Sequence, residues 1–181
     1  MRLTMLGLGK MGGNMVRRLR RGGIEVVGYD RSQDVVQRLA SECGMLAASS
    51  AVDAVAKLSA PRIVWLMLPS GEPTEQQIRE LASLLGKGDI IVDGGNSNYH
   101  DSQRRGAWLA GQGIGFMDCG TSGGIWGLEN GYCLMVGATA DVAQTLQPIL
   151  QVLAPSAQHG WAHVGPVSRV PLILIRPAIA C

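Results

Sequence analysis

The segment Arg2-Leu3-Thr4-Met5-Leu6-Gly7-Leu8-Gly9-Lys10-Met11-Gly12 decides the fold. A short apolar run suited to a buried strand meets Gly7-x-Gly9-x-x-Gly12, and Met15, Val16 and Leu19 follow at helical spacing. The segment therefore reads as strand, tight turn, helix. In a dinucleotide site the first glycine permits the turn, the second lets the backbone approach a pyrophosphate, and the third packs helix against strand. The phosphates then lie over the unpaired amides of the helix N-terminus.

The next strand-like run, Ile24-Glu25-Val26-Val27-Gly28-Tyr29, ends in Asp30-Arg31. An acid about twenty residues past the glycines is placed to accept hydrogen bonds from the adenosine ribose. A carboxylate beside a 2′-phosphate costs on the order of 1 to 4 kcal/mol at about 4 Å, which favours NAD. Arg31 works the other way, because its guanidinium can stack on adenine or pair with a 2′-phosphate. The expectation is NAD preference with residual NADP use. Taken alone, the same residues also fit a plain glycine turn with a surface Asp.

Composition sets the class. A chain of 181 residues, 46% hydrophobic and 17% charged, suits one globular domain or slightly more and excludes disorder. With a net charge of +2, the dense basic run is Arg17, Arg18, Arg20 and Arg21, without interleaved aromatics. It reads as a solvated helix end favoured by the helix dipole, and no nucleic-acid partner is expected. Cys43, Cys119, Cys133 and Cys181 are far apart and form no C-x-x-C pair, so neither a metal site nor a disulfide scaffold is suggested. No charged leader precedes the first strand, and no apolar run reaches the roughly 20 residues of a membrane span. A cytoplasmic protein without a membrane partner is expected.

Further along, Ser32 is placed to cap a helix carrying Val35, Val36 and Leu39, which Gly44 ends. Met45 to Ala48 is a candidate short strand. Ser49 or Ser50 opens a helix with Val52, Val55 and Leu58, broken by Pro61. The nearly continuous apolar run Arg62 to Leu68 marks a central parallel strand covered on both faces. A helix from Glu72 to Leu85, a strand over Asp89 to Asp93 and a helix over Tyr99 to Ala110 follow. Gly113 to Cys119 reads as a strand closing in a glycine loop from Gly120 to Gly124, before a strand over Gly131 to Gly137 and a helix over Asp141 to Leu153. This alternation predicts an α/β fold, a Rossmann-type doubly wound, mostly parallel sheet. Ligands of such sheets lie beyond the carboxyl ends of the strands, so the loops after Leu6, Tyr29, Leu68, Val92 and Cys119 should share one rim.

At these loops the chain resembles 6-phosphogluconate dehydrogenase, within the wider β-hydroxyacid dehydrogenase group. The resemblance rests on Gly7 to Met15, Met67-Leu68-Pro69-Ser70-Gly71, Asp93-Gly94-Gly95-Asn96-Ser97 and Gly120-Thr121-Ser122-Gly123-Gly124, and it covers residues 1 to about 167. It implies NAD(P)-linked oxidation of 6-phosphogluconate at C3 and decarboxylation to ribulose 5-phosphate. By the same resemblance Gly7, Leu8, Gly9, Lys10, Met11, Gly12, Asp30 and Arg31 bind the cofactor. Leu68, Pro69 and Ser70 border the nicotinamide ribose. Asn96 holds the nicotinamide or a substrate hydroxyl, and Ser122, Gly123 and Gly124 receive the substrate carboxylate. Turn and loop roles without a ligand are the competing readings for Asn96 and for Ser122 to Gly124. His100, His159 and His163 read as surface or packing residues, Trp126 and Trp161 as packing residues, and Asp118 as structural.

The chain departs from the family pattern after Gly165-Pro166-Val167. The family places a lysine base on a long helix there and a glutamate acid beyond it. Here Ser168 to Cys181 carries Pro171 and Pro177, which would disrupt that helix, and the lysines are Lys10, Lys57 and Lys87. The expectation is an NAD(P)-binding domain over 1–167 and a divergent tail over 168–181, without the helical substrate domain that builds the family's homo-oligomer. Such a chain binds dinucleotide and has little activity alone. The rival readings are a dehydrogenase of the 3-hydroxyisobutyrate type and a non-catalytic dinucleotide-binding module.

Overall fold

The computed structural model describes residues 1–167; the tail, with Pro171 and Pro177, lies outside the described residues. Among the described residues the strands are β1 (Arg2–Leu6), β2 (Glu25–Tyr29), β3 (Leu46–Ala47), β4 (Ile63–Leu66), β5 (Ile90–Asp93), β6 (Gly115–Ser122), β7 (Cys133–Gly137) and β8 (Trp161–Gly165). They form one sheet in the order β3-β2-β1-β4-β5-β6-β7-β8. Every neighbouring pair is parallel except β6 and β7. The connecting helices are α1 (Lys10–Arg21), α2 (Gln33–Cys43), α3 (Ala51–Ala56), α4 (Glu72–Leu84), α5 (Tyr99–Ala110), α6 (Gly127–Asn130) and α7 (Ala140–Leu153). This is the Rossmann-type α/β sheet that the alternation of patterns predicts.

The sheet has an apolar core on each face, and β4 shows why its sequence is unbroken. Ile63 and Trp65 point into the layer filled by Met15, Leu19, Leu39, Leu146 and Leu150 of α1, α2 and α7. Val64 and Leu66 point into the opposite layer, with Ala54, Ile78, Leu81 and Leu109 of α3, α4 and α5. A strand buried on both faces cannot alternate apolar with polar residues.

Local signals place most helix ends. Gly44 adopts φ 68 and closes α2, and Ser50 Oγ accepts the Asp53 N–H at 3.0 Å to open α3. Ser32 stands at the N-cap of α2 without a side-chain cap bond. The helix begun by Ser50 is shorter than its apolar spacing suggests: it stops at Ala56, and Val52 is half exposed.

Three expectations are corrected. The stretch Gly120 to Ser122 is strand rather than loop, because β6 continues in antiparallel register with β7 from Asp118↔Gly137 to Ser122↔Cys133. Trp126 is not a packing residue, being 70% exposed at the end of a short 3-10 turn, Gly124–Trp126. Arg17, Arg18 and Arg20 of α1 are half-buried crosslinks rather than a solvated end, whereas Arg21 is solvated as expected. Arg18 Nε donates to the carbonyls of Val152 (2.9 Å) and Leu153 (3.0 Å) at the end of α7. Arg17 pairs with Glu42, Arg21 with Glu129, and Arg20 donates to the Cys43 carbonyl.

Candidate functional site

Strand order reverses between β1 and β4, since α1 carries the chain to β2 on one side and α3 returns it to β4 on the other. A crevice opens beyond the carboxyl ends of the strands at such a reversal. Here it is a cleft of about 720 Å³. Gly7, Gly9, Lys10, Met11 and Gly12 after β1, Asp30 and Arg31 after β2, Leu68 and Pro69 after β4, and Asn96 after β5 share its wall.

The three glycines of the turn differ physically. Gly7 has φ +92, and a Cβ there would strike the Met67 carbonyl; a Cβ on Gly12 would strike the carbonyl of Gly7. Both positions are fixed by the protein's own packing. Gly9 has φ −60, which any residue adopts, and a Cβ there would meet nothing within 4 Å. The protein itself does not require that glycine, and Gly9 is one of the residues that line the cleft. Helix α1 starts there with no side-chain cap and no acid in its first turn, so its amide end is open to an anion.

Leu8 is buried beneath the turn, and its N–H donates to Asp30 Oδ2 at 2.8 Å. Asp30 Oδ1 accepts the Ser32 N–H at 2.9 Å. These bonds fix the carboxylate at the cleft wall and leave each oxygen a second lone pair. Asn96 has φ 56, the left-handed region expected of a turn asparagine. Its Oδ1 accepts the Thr121 N–H at 3.3 Å, which ties the loop after β5 to the end of β6 beside Ser122. Ser70, Ser122, Gly123 and Gly124 lie outside the cleft wall itself. Ser122 ends β6, and Gly123 and Gly124 turn away from it at φ +134 and +49.

A charged network lies behind the wall. Arg105 is buried between Glu75, at 2.9 Å, and Asp93, at 3.1 Å. Arg104 pairs with the same Glu75 at 2.8 Å and, with Arg105, holds its carboxyl down to about 2. Burial pushes the Cys119 thiol up to about 12, which leaves it no nucleophile. None of the histidines borders the cleft: His100 stacks on Tyr99 at 3.8 Å, His159 bonds Ser156, and His163 Nε2 lies 2.9 Å from the Ala138 carbonyl. No described residues form a cluster able to hold a metal, and no described helix is long and apolar enough to cross a membrane.

One wall was not read from the sequence. Pro73, Gln76, Gln77 and Glu80 of α4 also line the cleft. Their spacing of three, four and seven residues marks one polar helix face, and that face follows the strand at the reversal point. The pattern was the available signal.

Comparison with known proteins gives the family and the fold. Residues 2–163 match the family model of the NAD binding domain of 6-phosphogluconate dehydrogenase. The chain is 38% identical over 162 residues to the decarboxylating 6-phosphogluconate dehydrogenase of Haemophilus influenzae, covering 87% of this chain and 34% of that protein. It is 36% identical over 165 residues to the NAD(+)-dependent decarboxylating enzyme of Haloferax volcanii, covering 91% and 54% respectively. Among solved structures, Plasmodium falciparum 6-phosphogluconate dehydrogenase, known with NADP+ and with 6-phosphogluconate, superposes with a TM-score of 0.85 at 25% identity, over 93% of this chain and 38% of that one. The 3-hydroxyisobutyrate dehydrogenase of Mycobacterium tuberculosis gives 0.82 at 26%, over 92% and 55%. The chain thus spans between a third and about half of these curated relatives.

Proposed function

Since this chain belongs to the family of the NAD-binding domain of 6-phosphogluconate dehydrogenase, we propose that residues 1–167 are the cofactor-holding unit of such an enzyme, with NAD preferred over NADP. The carrying observation is Gly9: unhindered by its own protein, it sits at an uncapped helix start inside the cleft.

In this reading the turn from Gly7 to Gly12 and the amides that open α1 hold the pyrophosphate. Asp30 accepts from the adenosine ribose hydroxyls, and Arg31 covers the adenine. The charge of Asp30 disfavours a 2′-phosphate, and Glu80 adds a second carboxylate to the same cleft. Leu68, Pro69 and Ser70 border the nicotinamide ribose, while Asn96 orients the ring or a substrate hydroxyl with its amide. Ser122, Gly123 and Gly124 offer a hydroxyl and backbone amides to the substrate carboxylate. Bound nicotinamide supplies the hydride acceptor; the residues position and select.

For the whole protein the substrate of this reading is 6-phosphogluconate, oxidised and decarboxylated to ribulose 5-phosphate. No residue of 1–181 is assigned the acid–base steps. Lys10 belongs to the glycine turn, Lys57 pairs with Asp53 at 2.7 Å, Lys87 is exposed, and no acid follows Asp141. The purified chain is expected to bind NADH more tightly than NADPH and to form no reduced cofactor from 6-phosphogluconate and NAD at an ordinary enzyme rate. Fluorescence titration with both nucleotides, followed by a turnover assay, tests this. Tighter NADPH binding overturns the preference, and no binding of either nucleotide overturns the reading.

A further inference from the structure

Arg105 does not border the cleft, yet its guanidinium joins two of the loops that do. Nε donates to Glu75 Oε2 at 2.9 Å and Nη2 to the Gly71 carbonyl at 3.3 Å, both at the start of α4. Nη1 donates to Asp93 Oδ2 at 3.1 Å and to Ser97 Oγ at 3.0 Å. Asp93 and Ser97 bracket Gly94-Gly95-Asn96, all three of which line the cleft. Asp93 carries the contact one step further, because its Oδ1 accepts the Gly95 N–H at 3.1 Å.

The two loops do not depend on Arg105 equally. The start of α4 has other anchors: Arg104 donates twice to Glu75, at 2.9 and 2.8 Å, and Thr74 Oγ1 donates to the Pro69 carbonyl at 2.8 Å. Among the described residues, Arg105 is the one cation that reaches Asp93 and Ser97. A planar guanidinium can serve both loops at once; an ammonium, a single point of charge, cannot hold that fork.

We infer that Arg105 is a positioning residue for the nicotinamide half of the bound dinucleotide, fixing the Gly94–Ser97 segment against the start of α4 without touching the ligand. The inference rests on the dinucleotide reading above. The adenosine half is held by the glycine turn and Asp30, neither of which contacts Arg105. Loss of the latch therefore weakens ligands that carry the nicotinamide and spares those that lack it. A purely structural role would lower the melting temperature and leave the two ligand classes in their original ratio.

The test uses the full 181-residue chain and two probes, NADH by fluorescence and ADP-ribose by calorimetry. Ser97→Ala removes one of the contacts and leaves the buried charges paired, so it is the variant that decides if Arg105→Lys fails to fold. For Ser97→Ala the NADH dissociation constant is expected to rise about fivefold, the equivalent of one good hydrogen bond, with ADP-ribose unchanged. Arg105→Lys is expected to show a larger rise with the same selectivity. Equal weakening of both probes, or no change in either, overturns the role of Arg105. Failure of the unaltered chain to bind NADH instead sinks the dinucleotide reading, and this inference with it.

Discussion

Asp30 Oδ2 accepts the backbone N–H of Leu8 at 2.8 Å, across 22 residues of sequence. One side chain thereby ties the glycine turn to the end of β2 and keeps a negative charge at the cleft wall. In the proposed reading the position does two jobs: it shapes the turn, and its charge disfavours a 2′-phosphate.

Asp30→Asn separates these jobs, because the amide oxygen can still accept the Leu8 N–H while the charge is gone. The affinity for NADPH relative to NADH is expected to rise by about tenfold, from the like-charge term that disappears. Paired fluorescence titrations read it directly. An unchanged ratio would show that the carboxylate does not face the 2′ position.

Glu75 predicts an acid limb of stability. Arg104 first, and then Arg105, hold its folded-state value at about 2 against an ordinary 4.5. The ionised group therefore adds stability that is fully present above about 4.5 and is lost as the pH falls toward about 2. With Arg104 half exposed and screened by solvent, Glu75→Gln is expected to cost about 1–2 kcal/mol at neutral pH. The gap between variant and parent should narrow at pH 3, and urea unfolding at both pH values measures it. A constant gap contradicts the assignment.

Tyr132 is fully buried, and its hydroxyl has no hydrogen-bond partner among the described residues. Burial also pushes its phenol up to about 12. Removing an unsatisfied hydroxyl removes a desolvation cost, so Tyr132→Phe should leave stability unchanged or raise it by up to about 1 kcal/mol. Calorimetric melting checks the sign; a clear loss would point to a partner for the oxygen.

What the sequence made legible was what short-range physics determines. The glycine turn, the doubly buried β4 and the cap residues Gly44 and Ser50 each carry their signal within a few positions. The remainder depended on partners distant along the chain. Gly120-Thr121-Ser122 has loop composition and becomes strand only because β7 pairs with it. β8 is half exposed at the sheet edge, so Trp161-Ala162-His163-Val164-Gly165 shows no clean alternation. Arg18 reads locally as a helix-end charge, while its acceptors lie more than 100 residues on. Arg105 reads as one more basic residue on a polar helix, and only the folded chain brings Glu75, 30 residues away, to it. In the cleft, the glycine turn and Asp30 are legible from motif and position and Asn96 from the family resemblance, whereas the α4 face needs its helix register traced against the reversal point.

The central claim is that the space above Gly9 is where a pyrophosphate lies. Gly9→Ala tests it most directly, since the added methyl meets nothing in the protein itself. NADH titration of this variant, alongside thermal melting, is expected to show parent-like melting with affinity reduced by about tenfold or more. A variant that melts like its parent and binds NADH as tightly would contradict the account.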